Sequence, residues 1–382
     1  MKSWHMMVAL AAAAVLTLTI GLFPARAAPP GGCPQAAFGF TTAERDLMKS
    51  AVDRAREAAK APGVVAGVFV PGRGSWICVV GLSDEETGRP MNAADRMRVA
   101  SITKTFTGTA ILQLADRGLL GLDDPLSRYV DWPDGNAITI RQLLNMTSGI
   151  YSYTEDAAFK ARYQADPTGS FGPQDALDIA RAHDPYFAPG TGFHYSDTNY
   201  ILLELVLERV TGRPIGDWIE DEIAAELGLD NTSYPATPAL RAPFARGYDA
   251  TPDPGDADAA RDVTYSNPGY AGAAGAMVSN LHDLRIWAAE LARGALLSER
   301  MQQERLRTVP LTPGSAVSYG LGIADVDGYL GHNGTILGYN SAMFFLPETG
   351  ATIVVEINRS DLETDHATPL FGELAKVLYP DR

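Results

Sequence analysis

The 382-residue sequence predicts an α/β (α+β) fold: one antiparallel sheet flanked by helices, built from both chain ends, with an inserted mostly helical lobe. Three observations lead there. Runs with strand composition lie near the two ends of the chain, and helical periodicity fills the middle. The composition, 46% hydrophobic and 20% charged, is that of a globular protein long enough for one large domain or two ordinary ones.

Taken in order, Thr41-Thr42-Ala43-Glu44 reads as a capping box that opens a helix to about Ala61, where Pro62-Gly63 stops it. Two strand-like runs, 64–70 and 75–81, flank Pro71-Gly72-Arg73-Gly74, a hairpin turn signal. A short run at 97–100 leads into a helical pattern over 101–117, with Ile102, Phe106, Ala110 and Leu114 on one face. Helices follow at 140–146, 174–182, 199–210 and 215–227. Residues 237–262, rich in Pro, Asp and Ala, are expected to form an exposed excursion. A helix at 281–291 precedes strand signals at 319–323, 329–333, 341–346 and 352–357, and a helix near 370–378 closes the chain. The expected division is a signal at 1–27, a tail at 28–40 and one domain at 41–380. Its sheet lobe takes 41–100 and 270–380, and its helical lobe 101–269.

Lys plus Arg number 31 against 46 Asp plus Glu, a formal charge of −15. That balance opposes a nucleic-acid partner and an anionic membrane surface. Residues 1–27 read as an export signal: Lys2 starts it, 8–23 is almost wholly apolar, and Ala25-Arg26-Ala27 fits a cleavage site. Removing it takes away Lys2 and Arg26 and moves the charge from −15 to −17. The mature protein is expected to be secreted or periplasmic and free of the membrane. Cys33 and Cys78 could form one disulfide, closing a loop worth about 4 kcal/mol. A lipid-anchor cysteine and two free thiols are the alternatives.

The chain has no His-Glu-x-x-His, no phosphate loop ending in Gly-Lys-Ser/Thr and no Gly-x-Ser-x-Gly elbow. The histidines at 5, 183, 194, 282, 332 and 366 lack ligand spacing, so neither a metal nor an organic cofactor is expected. What remains is Ser101-Ile102-Thr103-Lys104 at a strand-to-helix junction. Residues i and i+3 share a helix face, so the Lys104 amine can reach the Ser101 hydroxyl. A serine needs a base to become a nucleophile. Lysine serves only if burial or a neighbour lowers its pKa, a change of about 4.6 kcal/mol at pH 7. Only six lysines are present, and Lys104 lies in a small, apolar stretch where solubility alone would not place it.

The segment Arg98-Val99-Ala100-Ser101-Ile102-Thr103-Lys104-Thr105-Phe106 resembles the nucleophile segment of the penicillin-recognising serine hydrolases, which comprise DD-peptidases, class C β-lactamases and related esterases. The likeness is strongest to secreted actinomycete D-alanyl-D-alanine carboxypeptidases and runs from about Ala61 to Leu378. It is also carried by Thr147-Ser148-Gly149-Ile150, Pro189-Gly190, Tyr195-Ser196-Asp197, Ala274-Gly275-Ala276-Met277 and His332-Asn333-Gly334-Thr335. It implies a β-lactamase/transpeptidase-like fold and an acyl-enzyme on Ser101, with Lys104 and Tyr195 moving protons. It also implies an oxyanion hole from the Ser101 and Thr335 N–H groups. A phenol beside an ammonium is expected to have a lowered pKa. His332 is expected to support substrate anions as a cation at acidic pH, and Gly334 to let a strand edge approach the substrate.

Two positions depart from the family pattern. Asp197 stands where asparagine is usual, and is expected either to cap the following helix or to sit protonated in the site. Asp197→Asn is then expected to be tolerated or to improve amide turnover. Ala324 stands where the carboxypeptidases carry an arginine for the substrate carboxylate. Phe159 and Tyr270 are candidates for cleft wall or core. The expected function is an exported D-alanyl-D-alanine carboxypeptidase-like serine hydrolase acting on a small, cell-wall peptide or an ester. An esterase or D-amino-acid amidase of the same fold, and a non-catalytic peptidoglycan- or penicillin-binding protein, are the alternatives.

Overall fold

The computed structural model describes residues 32–33, 39–251 and 260–382. The expected signal at 1–27, most of the 28–40 tail and residues 252–259 of the excursion lie outside the described residues.

Helix α1 (Thr42–Ala58) opens with the expected capping box: Thr41 accepts from the Glu44 N–H while Glu44 reaches back to the Thr41 N–H. Strands β1 (Gly63–Val70), β2 (Gly74–Asp84) and β3 (Arg89–Pro90) form one half of the sheet. The chain then leaves through helices α2 (Thr103–Asp116) and α3 (Asp197–Thr211) before returning by α4 (Leu281–Arg293). Strands β4 (Val309–Pro310), β5 (Val317–Tyr319), β6 (Ala324–Val326), β7 (Tyr329–Ile336), β8 (Tyr339–Leu346) and β9 (Ala351–Ile357) complete the sheet, and α5 (Ala367–Leu378) ends the fold. Among the described residues the sheet has nine strands in the order β3-β2-β1-β9-β8-β7-β6-β5-β4, paired antiparallel throughout. The seam between first and last halves is β1 against β9, with Val64 opposite Ile357. The two chain ends therefore build one sheet.

Strands β1, β8 and β9 are buried along their whole length. Helices cover both faces of the sheet, which explains continuous apolar runs rather than alternation. The helices α1 and α5 pack together on one face and α4 on the other. Gly67 marks how closely α4 sits, because a Cβ there would lie 2.7 Å from Leu281 Cδ1. Among the described residues no helix is long and apolar enough to cross a membrane.

Three details differ from the sequence expectation. The run expected at 319–323 is not one strand: Tyr319 ends β5 and residues 320–323 are a turn. Gly322 lies at φ 74° and turns the chain between β5 and β6, where a Cβ would meet the Lys104 carbonyl and Gly108. The helix expected over 215–227 contains a π segment, Glu220–Ala224. The described part of the excursion is tied down rather than free. The Arg98 guanidinium is buried, and its Nη2 donates to the carbonyls of Pro238, Thr264 and Ser266. A buried guanidinium needs several acceptors, and loop carbonyls supply them. Cys33 and Cys78 are joined as a disulfide, and Gly32 pairs with Val79 beside it.

Candidate active site

Ser101 lies in a single 3₁₀ turn, Ala100–Ile102, directly ahead of α2. Ala100 has φ 49°, a left-handed conformation that costs an L-residue roughly 1–2 kcal/mol. The surroundings hold it there. Ser341 Oγ on β8 donates to the Val99 carbonyl at 2.8 Å, and Gly334 on β7 lies against the same segment. A Cβ at Gly334 would stand 2.5 Å from the Val99 oxygen, 2.7 Å from Ser341 Oγ and 2.8 Å from Ala100 Cβ. Gly334 therefore has a packing role of its own. Its missing side chain makes room for the Val99–Ala100 segment that leads into the nucleophile turn.

Lys104 is fully buried in the first turn of α2. Its Nζ donates to three acceptors: Ser101 Oγ at 3.0 Å, Asp197 Oδ1 at 2.5 Å and the Ala274 carbonyl at 2.8 Å. Burial pulls the ammonium below its usual range, and the Asp197 carboxylate opposes that shift. Ser101 and Lys104 thus meet at the i, i+3 spacing.

Asp197 is neither a helix cap nor turned away from the site. Ser196 occupies the N-cap of α3, and Asp197 is the first helical residue. Its Oδ1 takes the Lys104 proton donor and its Oδ2 accepts from Thr154 Oγ1 at 2.7 Å, while its N–H donates to Ser152 Oγ at 3.0 Å. Residues 148–154 are docked on the start of α3: Ser148 Oγ donates to Asn199 Oδ1, and the Tyr153 N–H to Thr198 Oγ1. The Thr147-Ser148-Gly149-Ile150 motif therefore positions the loop that supplies Ser152 and Thr154.

Tyr195 lies over the pair, with Lys104 Nζ 4.8 Å from its ring centre. Its phenol is held well above the usual range, first by burial and then by the Asp197 charge, with the Ser101 hydroxyl acting in the opposite direction. The expected lowering is not found, because burial, with the Asp197 charge beside it, outweighs any effect of the nearby ammonium. A phenol so held is a proton donor at rest, not a base.

His332 on β7 is buried, and its Nδ1 faces the Asn333 carbonyl at 2.5 Å while Nε2 meets Tyr319 Oη at 2.9 Å. Nδ1–H donating to that carbonyl leaves Nε2 to accept from Tyr319. Burial, then the Lys104 charge, pushes its pKa down to about 3. The expected cation at acidic pH is therefore corrected: His332 is neutral across the working range. Thr335 reaches the site from the far half of β7. β6 pairs only with Tyr329–Gly331 there, so, among the described residues, 332–336 have no partner strand on that side.

A cleft of about 250 Å3 opens at Ser101, lined also by Thr154, Glu155, Asp197 and Thr335. Its deeper wall is aromatic, made by Tyr153, Phe159, Tyr163 and Tyr270. Tyr163 and Tyr270 stack with ring centres 4.4 Å apart, and Phe159 meets Tyr153 edge-on at 5.0 Å. Phe159 and Tyr270 are thus wall and core at once. At the rim Lys160 is paired with Glu363 at 2.9 Å. Ala324 stays small and nearly buried at the start of β6, opposite Gly331. Thr154 and Ser152 carried no signal in the sequence, being ordinary loop hydroxyls, while Ala274 opens the Ala274-Gly275-Ala276-Met277 motif without showing that its carbonyl faces Lys104.

The family model described as Beta-lactamase matches residues 44–374. Among solved structures, a D-stereospecific amidohydrolase from Streptomyces sp. is 34% identical with a TM-score of 0.74, covering 86% of this chain and 98% of that one. The D-amino acid amidase of Ochrobactrum anthropi SV3, complexed with D-phenylalanine, is 26% identical with a TM-score of 0.77, covering 89% and 100%. Penicillin-binding protein 4* of Bacillus subtilis (strain 168) is 25% identical over 315 residues, 78% of this chain. The chain spans 60–68% of the length of the first curated relatives it matches.

Proposed function

The chain belongs to the beta-lactamase family of serine hydrolases, and on that footing we propose that it cleaves the amide bond of a small D-amino-acid amide or peptide through an acyl-enzyme on Ser101. The observation that carries this reading is the cleft. It joins Ser101 to an aromatic wall and to two carboxylates, Glu155 and Asp197. Among its described lining residues the one cation, Lys160, is already paired with Glu363. Asp197 faces Lys104, and Glu155 accepts from Tyr186 Oη and meets His194, so the carboxylates disfavour a free substrate carboxylate while the aromatic wall matches an apolar side chain. The amidohydrolase and amidase structures support the same substrate class.

In this mechanism Ser101 attacks the carbonyl carbon and the developing oxyanion is held by the Ser101 and Thr335 N–H groups. Tyr195 gives its proton to the leaving amine, and water then releases the acid from Ser101. The carboxypeptidase reading rests on the motif series alone, and Ala324 stands where its substrate-anchoring arginine would be. The disulfide between Cys33 and Cys78 supports export to an oxidising compartment, as the sequence of 1–27 suggests.

Initial rates with D-phenylalanine amide, L-phenylalanine amide, a peptide ending in D-alanyl-D-alanine and a short-chain ester test the reading. The expected kcat/KM is at least about tenfold higher for the D-amide than for the L-amide or the peptide, the size of preference that about 1.4 kcal/mol supports. Preference for the peptide would replace this reading with the carboxypeptidase, and preference for the ester with an esterase.

A further inference from the structure

Resting on the serine-hydrolase reading of the site, we propose that Asp197 is the terminal proton acceptor of the acylation step, with Lys104 as the conduit between it and Ser101. Lys104 Nζ faces three acceptors, and an ammonium has three N–H donors and no lone pair. A lysine so engaged cannot take the Ser101 proton unless it passes one of its own on. Of the three acceptors only Asp197, 2.5 Å away, is a carboxylate; the others are a hydroxyl and a backbone carbonyl.

The step balances. The Ser101 Oγ–H bond breaks as Oγ bonds to the substrate carbonyl carbon, and that proton goes to Lys104 Nζ. Lys104 in turn gives an N–H proton to Asp197 Oδ1. When the tetrahedral intermediate collapses, the C–N bond breaks and the leaving nitrogen takes the Tyr195 hydroxyl proton. Asp197 returns its proton through Lys104 to the Tyr195 oxygen, which restores carboxylate, ammonium and phenol. Asp197 is thus a positioning residue that works through Lys104. Thr154, donating to Oδ2, fixes the carboxylate so that Oδ1 stays on the ammonium.

None of the other titratable groups near the pair is among the hydrogen-bond partners of Lys104 Nζ. His332 on β7 is neutral, its pKa pushed to about 3. Tyr153, Tyr195 and Tyr319 are all held well above the phenol range by burial, and Tyr200 on α3 is raised by the same cause. Glu204, also on α3, is raised to about 7 by burial and accepts from the Ala273 N–H beside the carbonyl that Lys104 uses. Glu155 and Lys160 stand at the rim, outside the hydrogen-bonded set.

The test is the pH profile of kcat/KM for wild type, Asp197→Asn, Thr154→Val and Glu204→Gln, with acyl adduct on Ser101 followed by mass at each pH. An amide cannot receive the proton, so in D197N Lys104 must itself be deprotonated before Ser101 reacts. The expected result is an acid limb at least about one pH unit higher than in wild type, a tenfold loss at pH 5 relative to the plateau. T154V removes a donor from the carboxylate and is expected to move the limb the same way by less, which carries the test if D197N does not fold. E204Q is expected to leave it in place. Coincident limbs in wild type and D197N, an unmoved limb in T154V, or an equal shift in E204Q overturns the proposal. Absence of an adduct in wild type would instead remove the reading on which it rests.

Discussion

Lys104→Met is expected to lower kcat by roughly three to four orders of magnitude while the protein still folds. Methionine keeps the length and apolar stem but removes all three donors. Ser101 Oγ then has no partner to take its proton, and Asp197 loses the cation it faces. The buried Ala274 carbonyl is left without its donor, which costs about 1–3 kcal/mol of stability. That is a small part of the stability of a domain whose sheet is buried on both faces. Lys104→Arg separates charge from proton transfer. A guanidinium keeps the positive charge yet does not give up a proton in this range, so the arginine variant is expected to be as inactive as the methionine one. Steady-state rates beside a thermal melt check both. Arginine activity within tenfold of wild type would mean that Lys104 acts by its charge alone.

Gly334→Ala is expected to lower kcat about a hundredfold with a smaller effect on KM. The added methyl would stand 2.5 Å from the Val99 carbonyl and 2.8 Å from Ala100 Cβ, so one of the two segments must move. The Val99–Ala100 backbone is the softer side, since Ala100 already sits at φ 49° and Ser101 follows it. A shift of about 1 Å in a nucleophile can cost two orders of magnitude. Overpacking of this kind also removes about 1–3 kcal/mol of stability. Gly372→Ala in α5, where a Cβ meets nothing within 4 Å, is the control and is expected to leave kcat unchanged. An unaltered kcat in Gly334→Ala would show that β7 and the nucleophile turn move independently.

The parts of this fold and site legible in the sequence are those written in short spacings. The capping box at Thr41–Glu44, the hairpin between β1 and β2 and the Ser101–Lys104 spacing each depend on residues within one or two turns of chain. The single sheet built from both ends was legible from where strand composition falls. What the sequence could not show is what depends on distant packing. Asp197 pairs with a lysine 93 positions away, so its role as partner rather than cap has no local signature. His332 carries the family's third motif, but its charge is decided by burial and by Lys104, neither of which spacing reveals. The packing of Gly334 against Val99 and Ala100 has no local signature either. For Tyr195, proximity to an ammonium was legible, while the burial and the Asp197 charge that reverse its expected shift were not.

The most direct test of the acyl-enzyme account is the mass of the protein quenched in acid after mixing with an activated ester of D-phenylalanine, followed by peptide mapping. The account requires one added acyl group on the peptide that contains Ser101, absent from Ser101→Ala under the same conditions. No adduct, or an adduct that persists in Ser101→Ala, would contradict it.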